Sequence, residues 1–194
     1  MRLRPLAVTL LALACARAPA PGAAVAPAGA TPADYFPLAL GNEWTYQDES
    51  PAVPPEHRSP RTVRIVERTQ DGYFKDTERG ELRLDGDCLH DRARRLLCGP
   101  IATGNRWSSI VSASSTERYE IAAVGETATT PAGAFAGCVR VRAHNRAAEG
   151  AEHVLEITYA PGVGPVKLET FAVVGGAVTP QVRAVLSAYR VGGK

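Results

Sequence analysis

Apolar and polar residues alternate along most of this chain, and the two-residue period limits the fold more than any other feature. Val139 and Val141 alternate with Arg140 and Arg142. Such alternation is typical of a strand that buries one face. The same pattern recurs in three further segments, at residues 63–65, 154–159 and 182–189. Residues 15–194 contain no long, capped helical stripe, so the period predicts an all-β protein.

Turn signals separate the alternating segments at regular intervals. They are Asp71-Gly72, Arg79-Gly80, Asp85-Gly86, Thr103-Gly104-Asn105, Pro161-Gly162 and Gly175-Gly176. Short strands between evenly spaced turns are typical of an antiparallel meander that curls into a barrel or a sandwich. We therefore predict a single all-β domain at 34–194, built as a curled antiparallel meander of about ten strands.

The first fourteen residues have the pattern of a secretory signal peptide. Arg2 and Arg4 precede an apolar run from Leu6 to Ala14. This run is shorter than the ~20 residues that a bilayer-spanning helix needs. It matches the apolar region of a signal peptide, about 7–15 residues long, with a positive charge before it. The pattern predicts export.

The signal segment ends in Leu-Ala-Cys, which resembles the bacterial lipobox and predicts lipid attachment at Cys15. The segment departs from the lipobox pattern in one place, because Ala12 stands where leucine is usual. The alternative is ordinary signal-peptidase cleavage at a small-residue site, at 26–28 or 28–30. In that case the mature protein would be soluble in the periplasm or secreted.

The composition of residues 15–33, which is rich in alanine, proline and glycine, predicts a disordered tether. Their largest apolar side chain is Val25, and such a segment buries too little surface to offset its ordering entropy. A lipid on Cys15 would make the bacterial membrane a partner. Ala16 follows the cysteine where aspartate would signal inner-membrane retention, which favours a periplasm-facing outer-membrane lipoprotein.

The charge balance excludes one class of partner. The formal net charge is +2, and twenty basic and twenty acidic residues remain once Arg2 and Arg4 are removed with the signal peptide. A nucleic-acid-binding domain needs a clustered positive field. We therefore predict no nucleic-acid partner.

Two cysteines flank a predicted hairpin turn near Ala93. Folding the chain there sets Cys88 opposite Cys98, at a separation compatible with a disulfide. An exported protein can keep such a bond oxidised. The competing interpretation is a zinc site that includes His90, but a second pair of suitably spaced ligands is missing. We predict the disulfide, no metal and no cofactor.

Cys138 has no predicted partner. Its alternation places it with Arg140 and Arg142, where a thiolate would gain reactivity. The alternative is a small buried cysteine behind a loop, and this alternative is favoured.

Motifs for catalysis are missing from the sequence. The four histidines form no H-E-x-x-H pair, and no serine lies in G-x-S-x-G. The Gly-Val-Gly at 162–164 lacks the third glycine and the helix of a phosphate-binding loop. We predict no catalytic residue. The absence of motifs leaves enzymatic activity open but favours a non-enzymatic protein.

An aromatic stretch, FPLALGNEWTY at 36–46, has an internal echo. The spacing Pro37-x3-Gly41-Asn42-x-Trp44 returns at 100–107, where it ends in Trp107. The echo predicts two equivalent corners, each leading into a strand, with Trp44 as a core residue. Ligand contact requires that the face shared by Trp44 and Tyr46 lines a cavity. The predicted lining of such a cavity is Trp44, Tyr46, Trp107, Tyr159 and Phe171.

Three stretches together resemble a family of uncharacterised bacterial envelope proteins, many of them lipoproteins. They are YFPLALGNEWTY at 35–46, TPAGAFAGCVRV at 130–141 and YAPGVGPVKLE at 159–169. The family signature is approximately FPL-x-x-G-x-x-W-x-Y, PAG-x-F-x-x-C-x-x-V and Y-x-P-G-V-G-x-V. This resemblance implies an envelope location and a β-rich fold. It implies no established chemistry, so no catalytic residue is carried over.

These observations favour a non-enzymatic envelope protein that binds a partner or assists assembly. Its partner would be a hydrophobic ligand, such as a lipid, or an envelope protein. The alternatives are a periplasmic hydrolase acting on envelope material and a purely structural lipoprotein. An aromatic cavity would favour the first interpretation, a polar cleft with two facing carboxylates or histidine–aspartate contacts the second, and a solid core with a featureless surface the third.

Overall fold

A computed structural model describes residues 29–148 and 150–192, and almost all of them lie in β-strands or the turns between strands. The first of two short helices is α1, Pro32–Tyr35, and the second is a 3-10 turn at Pro55–His57. The strands in this part of the chain are β1 Glu43–Asp48, β2 Arg61–Arg68, β3 Phe74–Asp76, β4 Glu81–Asp85, β5 Cys88–His90, β6 Arg95–Cys98, β7 Arg106–Ser112, β8 Ser115–Thr130, β9 Gly133–Ala148, β10 Ala151–Ala160, β11 Gly164–Val174 and β12 Ala177–Arg190. The predicted all-β class is confirmed.

The described strands form one antiparallel sheet in the order β6-β5-β4-β3-β2-β1-β12-β11-β10-β9-β8-β7. Each strand pairs with its neighbour in sequence except at β6 and β7, and the first strand pairs with the last. The two edge strands, β6 and β7, are therefore consecutive in the chain, and the curled meander nearly closes into a barrel. The strand number is twelve rather than about ten, because β3 and β5 have three residues each and are too short to show a period.

Side chains hold the seam between β6 and β7, where the backbone ladder is interrupted. The Trp107 indole Nε1–H donates to the Arg95 carbonyl at 2.6 Å. The Arg95 backbone N–H donates to Ser109 Oγ at 2.9 Å. Beside this seam, Arg94 Nε donates to the carboxylate of the buried Glu117 at 3.0 Å. The two edges are thus covered, which reduces the tendency of exposed edge strands to pair with other chains.

The alternation of the sequence sorts side chains between the interior and the outer face. Val139 and Val141 are buried on β9. On the same strand, Arg140 and Arg142 lie on the outer face and both form ion pairs with Glu156 of β10. Full burial of each valine contributes about 1.5–3 kcal/mol, whereas partly exposed ion pairs contribute little. The core therefore provides most of the stability of this wall.

The first predicted corner joins α1 to β1. Gly41 has a φ of +83°, which glycine adopts without steric cost. Its backbone N–H donates to the Ile65 carbonyl at 2.9 Å, and the Ile65 N–H donates to the Asn42 carbonyl at 2.9 Å. The Asn42 side-chain Nδ2–H donates to the Pro37 carbonyl at 2.6 Å. The corner therefore fixes the start of β1 against β2.

The second predicted corner, between β6 and β7, repeats this arrangement. Gly104 has a φ of +85°, and its backbone N–H donates to the Ile121 carbonyl at 2.8 Å. Ile121 donates back to the Asn105 carbonyl at 2.9 Å, and Asn105 Nδ2 donates to the Pro100 carbonyl at 2.9 Å. The prediction of two equivalent corners is confirmed.

The cysteines fall as the sequence predicts. Cys88 and Cys98 are directly opposed on β5 and β6 and form a disulfide, and Leu89 is opposite Leu97. Cys138 is free and buried, and its Sγ–H donates to the Phe135 carbonyl at 3.2 Å. Burial raises the pKa of the Cys138 thiol, which favours the interpretation as an unreactive cysteine over a thiolate.

The predicted signal peptide, Cys15 and the predicted tether up to residue 28 lie outside the described residues. Among residues 29–148 and 150–192, no helix has the length and apolar character needed to cross a membrane.

Candidate functional site

Two of the three stretches that carry the family resemblance, 35–46 and 159–169, are joined by hydrogen bonds at the barrel wall. The Trp44 indole Nε1–H donates to the Val163 carbonyl at 2.7 Å, and the Tyr46 hydroxyl donates to the Pro165 carbonyl at 2.9 Å. Gly164 lies between these two acceptors with a φ of +112°. A Cβ at Gly164 would lie 3.1 Å from Trp44 Nε1. Glycine is therefore required for both the backbone conformation and the close approach of the indole.

The third stretch joins the same assembly through α1. The Tyr35 hydroxyl donates to the Gly137 carbonyl at 3.1 Å, and the Gly162 N–H donates to the Asp34 carbonyl at 2.7 Å. Gly137 has a φ of +73°, and a Cβ at this residue would lie 3.6 Å from Pro161 Cγ. The three motif stretches thus form one interlocked structural unit, which explains their residues by packing and hydrogen bonding rather than by chemistry.

An interior cavity of about 200 Å³ lies against this unit. Its walls come from both halves of the sheet, and most of the lining is apolar. One wall is formed by Trp44, Val63, Leu82 and Leu96, and the other by Ile157, Tyr159 and Leu168. Phe36 completes the aromatic part, with its ring centroid 5.3 Å from that of Trp44 and 6.4 Å from that of Tyr159. Concave, mainly apolar interiors with few polar groups are typical of small-molecule sites.

Charged residues lie at the exposed side of this cavity and are paired with one another. Arg61 Nη1 is 3.2 Å from Glu78 Oε2, and both side chains are exposed. Asp76 Oδ1 accepts the backbone N–H groups of Glu78 and Gly80, each at 2.8 Å. Asp76 therefore holds its own turn, and the Arg61–Glu78 pair leaves the mouth of the cavity without a strong net charge.

Two tyrosine hydroxyl groups in the lining differ in their hydrogen bonding. Tyr46 donates to Pro165, as described above, while the Tyr159 hydroxyl makes no hydrogen bond to any of the described residues. Tyr159 is only 1% exposed. Burial raises the pKa of both phenols, so they are neutral in the physiological range.

Three of the five predicted lining residues, Trp44, Tyr46 and Tyr159, meet in this cavity. Trp107 and Phe171 do not line this cavity. Trp107 stacks on Tyr119 at a centroid distance of 5.6 Å and closes the seam instead. Phe171 pairs with Val154 on β10, on the opposite face of the sheet from Tyr159. It has the opposite strand parity from the interior Leu168, and this parity directs it outwards.

Phe171 lines a second concave surface, an outer groove of about 290 Å³. Val154, Val173 and Val178 form its apolar part, and Arg142 and Glu156 lie at its charged edge. This outer groove lies across the four neighbouring strands β9, β10, β11 and β12. It shares no lining residue with the interior cavity, so the two surfaces can be tested separately.

A histidine–glutamate contact lies on the protein surface, whereas the hydrolase alternative calls for a histidine–aspartate contact or two facing carboxylates. His144 Nδ1 is 3.2 Å from Glu152 Oε2, in a groove shared with Arg106, Arg118 and Glu120. The described lining of this groove contains no serine, threonine or cysteine that would serve as a nucleophile. Among the described residues, no group of three histidine, cysteine or acidic side chains is arranged to hold a metal ion.

Sequence reasoning missed several residues of the interior cavity. Leu82 and Leu96 come from short strands without clear alternation, and Arg61 follows the proline-rich loop. Their place in the cavity depends on contacts between the two halves of the sheet. The one usable signal on β2 was that Val63 and Ile65 share a face, with Arg64 between them, which predicts the buried face of this strand.

Comparison with known proteins gives only distant likenesses. No protein-family model matches the sequence, and no curated protein matches it. One similar solved structure is a "putative exported protein with YmcC-like fold" from Bacteroides fragilis, at 15% identity and a TM-score of 0.48, covering 81% of this chain and 99% of that chain. Another is a "putative lipoprotein" from Parabacteroides distasonis, at 12% identity and a TM-score of 0.42, covering 80% and 98%. At these values neither likeness supports an inference about this chain.

Proposed function

We propose that this chain is an exported, lipid-anchored envelope protein that binds a small apolar group inside its barrel and catalyses no reaction. The interior cavity is the observation that carries this proposal. Its lining is apolar and aromatic, and it is open on the side of Arg61 and Glu78. A purely structural protein would gain stability by filling this space with larger side chains, because buried apolar surface contributes about 25 cal/mol per Å².

The volume of the cavity limits what it holds. A cavity of about 150 Å³ lined by apolar side chains accepts one benzene molecule. Pockets for drug-sized ligands measure about 300–1,000 Å³. A cavity of about 200 Å³ therefore suits one aromatic ring or a short acyl segment, rather than a whole phospholipid.

The proposed location rests on the sequence. The signal-peptide pattern and the lipobox-like end at Cys15 support export and lipid attachment. The Cys88–Cys98 disulfide agrees with an oxidising compartment. The absence of aspartate after Cys15 supports the outer membrane, with the barrel facing the periplasm.

Fractionation of cells tests the anchor. We expect the wild-type chain in the membrane fraction and the Cys15→Ser variant in the soluble periplasmic fraction or retained as precursor, with loss of the lipid mass in both cases. The proposal of a lipid anchor is wrong if the wild-type protein is already soluble and begins near Gly29 or Thr31.

Binding is measured best through the two tryptophans of the chain. In a ¹⁵N-labelled protein, toluene should shift the indole N–H signal of Trp44, which lines the cavity, and leave that of Trp107 in place. Val63→Phe fills part of the cavity and should weaken binding at least tenfold. Val173→Phe, in the outer groove, is the matched control and should bind as the wild type does. Equal responses of both indoles, or of both variants, would refute the interior site.

A further inference from the structure

The Tyr159 side chain lines the cavity, and the described residues offer its hydroxyl no hydrogen-bond partner. Trp44 Nε1 and the Tyr46 hydroxyl both reach backbone carbonyls of the β10–β11 turn region. The Tyr159 hydroxyl makes no hydrogen bond within residues 29–148 and 150–192, although its side chain is 1% exposed and lines the cavity. Among the described residues, the fully buried side-chain atom left without a partner is Arg83 Nε, so the Tyr159 oxygen keeps contact with the solvent space of the cavity. A hydroxyl in that position bonds to water or to a ligand oxygen that replaces the water.

The chemistry around Tyr159 limits the group that would satisfy it. Its neighbours in the lining are Phe36, Ile157 and Leu168, which are apolar. Of the three charged lining side chains, Arg61 and Glu78 are exposed and paired with each other, and Asp76 accepts two backbone N–H groups of its own turn. A charged group beside Tyr159 would lose its hydration without gaining a counter-ion. A neutral oxygen that accepts the phenol O–H would lose little and gain a hydrogen bond in a dry setting.

From this geometry we infer that the ligand is a compact neutral molecule or group, an aryl or short acyl body with a carbonyl-type oxygen that accepts a hydrogen bond from Tyr159. This inference rests on the proposed function and specifies the ligand class for the same cavity. Trp44 and Phe36 contact the apolar body, and Tyr159 sets its orientation. Tyr159 is thus a binding residue that discriminates between ligands of equal shape.

A pair of ligands with the same shape tests the inference. Acetophenone and α-methylstyrene differ by the exchange of a carbonyl oxygen for a methylene group. In the Tyr159→Phe variant, we expect the affinity for acetophenone to fall about 3- to 10-fold, as for the loss of one neutral hydrogen bond. The affinity for α-methylstyrene should stay within about twofold. Titration of the purified protein, followed by the Trp44 indole signal, gives both constants.

Tyr46→Phe is the matched control. Its hydroxyl is already bonded to Pro165, so its removal should leave the ratio of the two affinities unchanged. The carbonyl stretch of bound acetophenone gives a measurement without any variant, and it should lie at a lower frequency than in an apolar solvent. An unchanged acetophenone affinity in Tyr159→Phe, or an unshifted carbonyl stretch, overturns the inference and leaves the proposed function intact. If neither ligand binds the wild-type protein, the proposed function itself is wrong.

Discussion

The corners at residues 37–44 and 100–107 share a backbone arrangement and differ in what surrounds them. Both place a glycine at a φ near +84° and an asparagine that donates to a proline carbonyl. Trp44 at the first corner is 2% exposed and faces the cavity. Trp107 at the second corner is half-buried and closes the seam. The local sequence thus specifies the turn, while the tertiary context decides the role of the tryptophan.

The same contrast extends to the second hydrogen bond of each asparagine. Asn42 is fully buried and accepts the backbone N–H of Gly192 at 2.8 Å, so it ties the end of the described chain to the start of β1. Asn105 instead donates to the Cys98 carbonyl at 3.1 Å, next to the disulfide. One corner therefore joins distant segments, and the other joins segments that are close in sequence.

Removal of each tryptophan should show the largest difference. Trp44→Ala creates a large hole in the core and loses the bond to Val163, which costs about 3–5 kcal/mol in free energy of unfolding. Trp107→Ala loses its stacking on Tyr119 and one bond to Arg95, at about 1–2 kcal/mol. Urea denaturation followed by circular dichroism measures both. A cost for Trp107→Ala equal to that for Trp44→Ala would contradict the assignment of the core corner.

Loss of the disulfide should affect one corner only. Replacement of both Cys88 and Cys98 by alanine removes a short covalent loop, at about 2–3 kcal/mol in the chain-entropy account. Because Asn105 donates to Cys98, the indole N–H signal of Trp107 should shift, whereas the signal of Trp44 should not. Reduction of the wild-type protein with dithiothreitol serves as a check. A shift of the Trp44 signal without a shift of the Trp107 signal would contradict the assignment of the disulfide to the second corner.

The two asparagine variants should follow the tryptophan variants, with the larger loss of stability at the first corner. Asn42→Ala removes a fully buried amide and its two hydrogen bonds, to the Pro37 carbonyl and from the Gly192 N–H, which costs about 2–3 kcal/mol. Asn105→Ala also loses two bonds, but water reaches this half-buried position, so we expect about 1 kcal/mol. Thermal unfolding of both variants under identical conditions tests the ranking. Equal melting temperatures would show that burial does not distinguish the two sites.

The corner glycines should behave alike and give the smallest contrast. Gly41 and Gly104 have nearly the same φ, and a Cβ at either would meet no atom within 4 Å. Replacement by alanine should therefore cost each about 1–2 kcal/mol, the price of a left-handed backbone alone. Chemical denaturation should give values that agree to within about 0.5 kcal/mol. A larger gap would mean that the two backbones are not equivalent.

Local patterns in the sequence predicted the parts of the fold that depend on near neighbours. The turn at Ala93 placed Cys88 opposite Cys98, and the echo of Pro37-to-Trp44 predicted the second corner. The pairing of β1 with β12 joins residues more than 130 positions apart, and no local period specifies it. Short strands such as β3 escaped detection because three residues do not establish a period.

For the candidate site too, the sequence predicted only those features that depend on near neighbours in the chain. Trp44 and Tyr46 share a face because they are two residues apart on a strand, and the structure places both on the cavity. Phe171 lies on the other face, a consequence of its parity relative to Leu168. The unpartnered hydroxyl of Tyr159 emerges only when every neighbour is in place, since hydrogen bonding depends on the assembled interior.

The most direct measurement of the interior site is a crystal of the protein soaked with bromobenzene. Bromine scatters anomalously and marks the position of the ring. We predict a peak inside the barrel, between Trp44 and Tyr159, which disappears in the Val63→Phe variant. A peak confined to the outer groove at Phe171, with none in the interior, would contradict it.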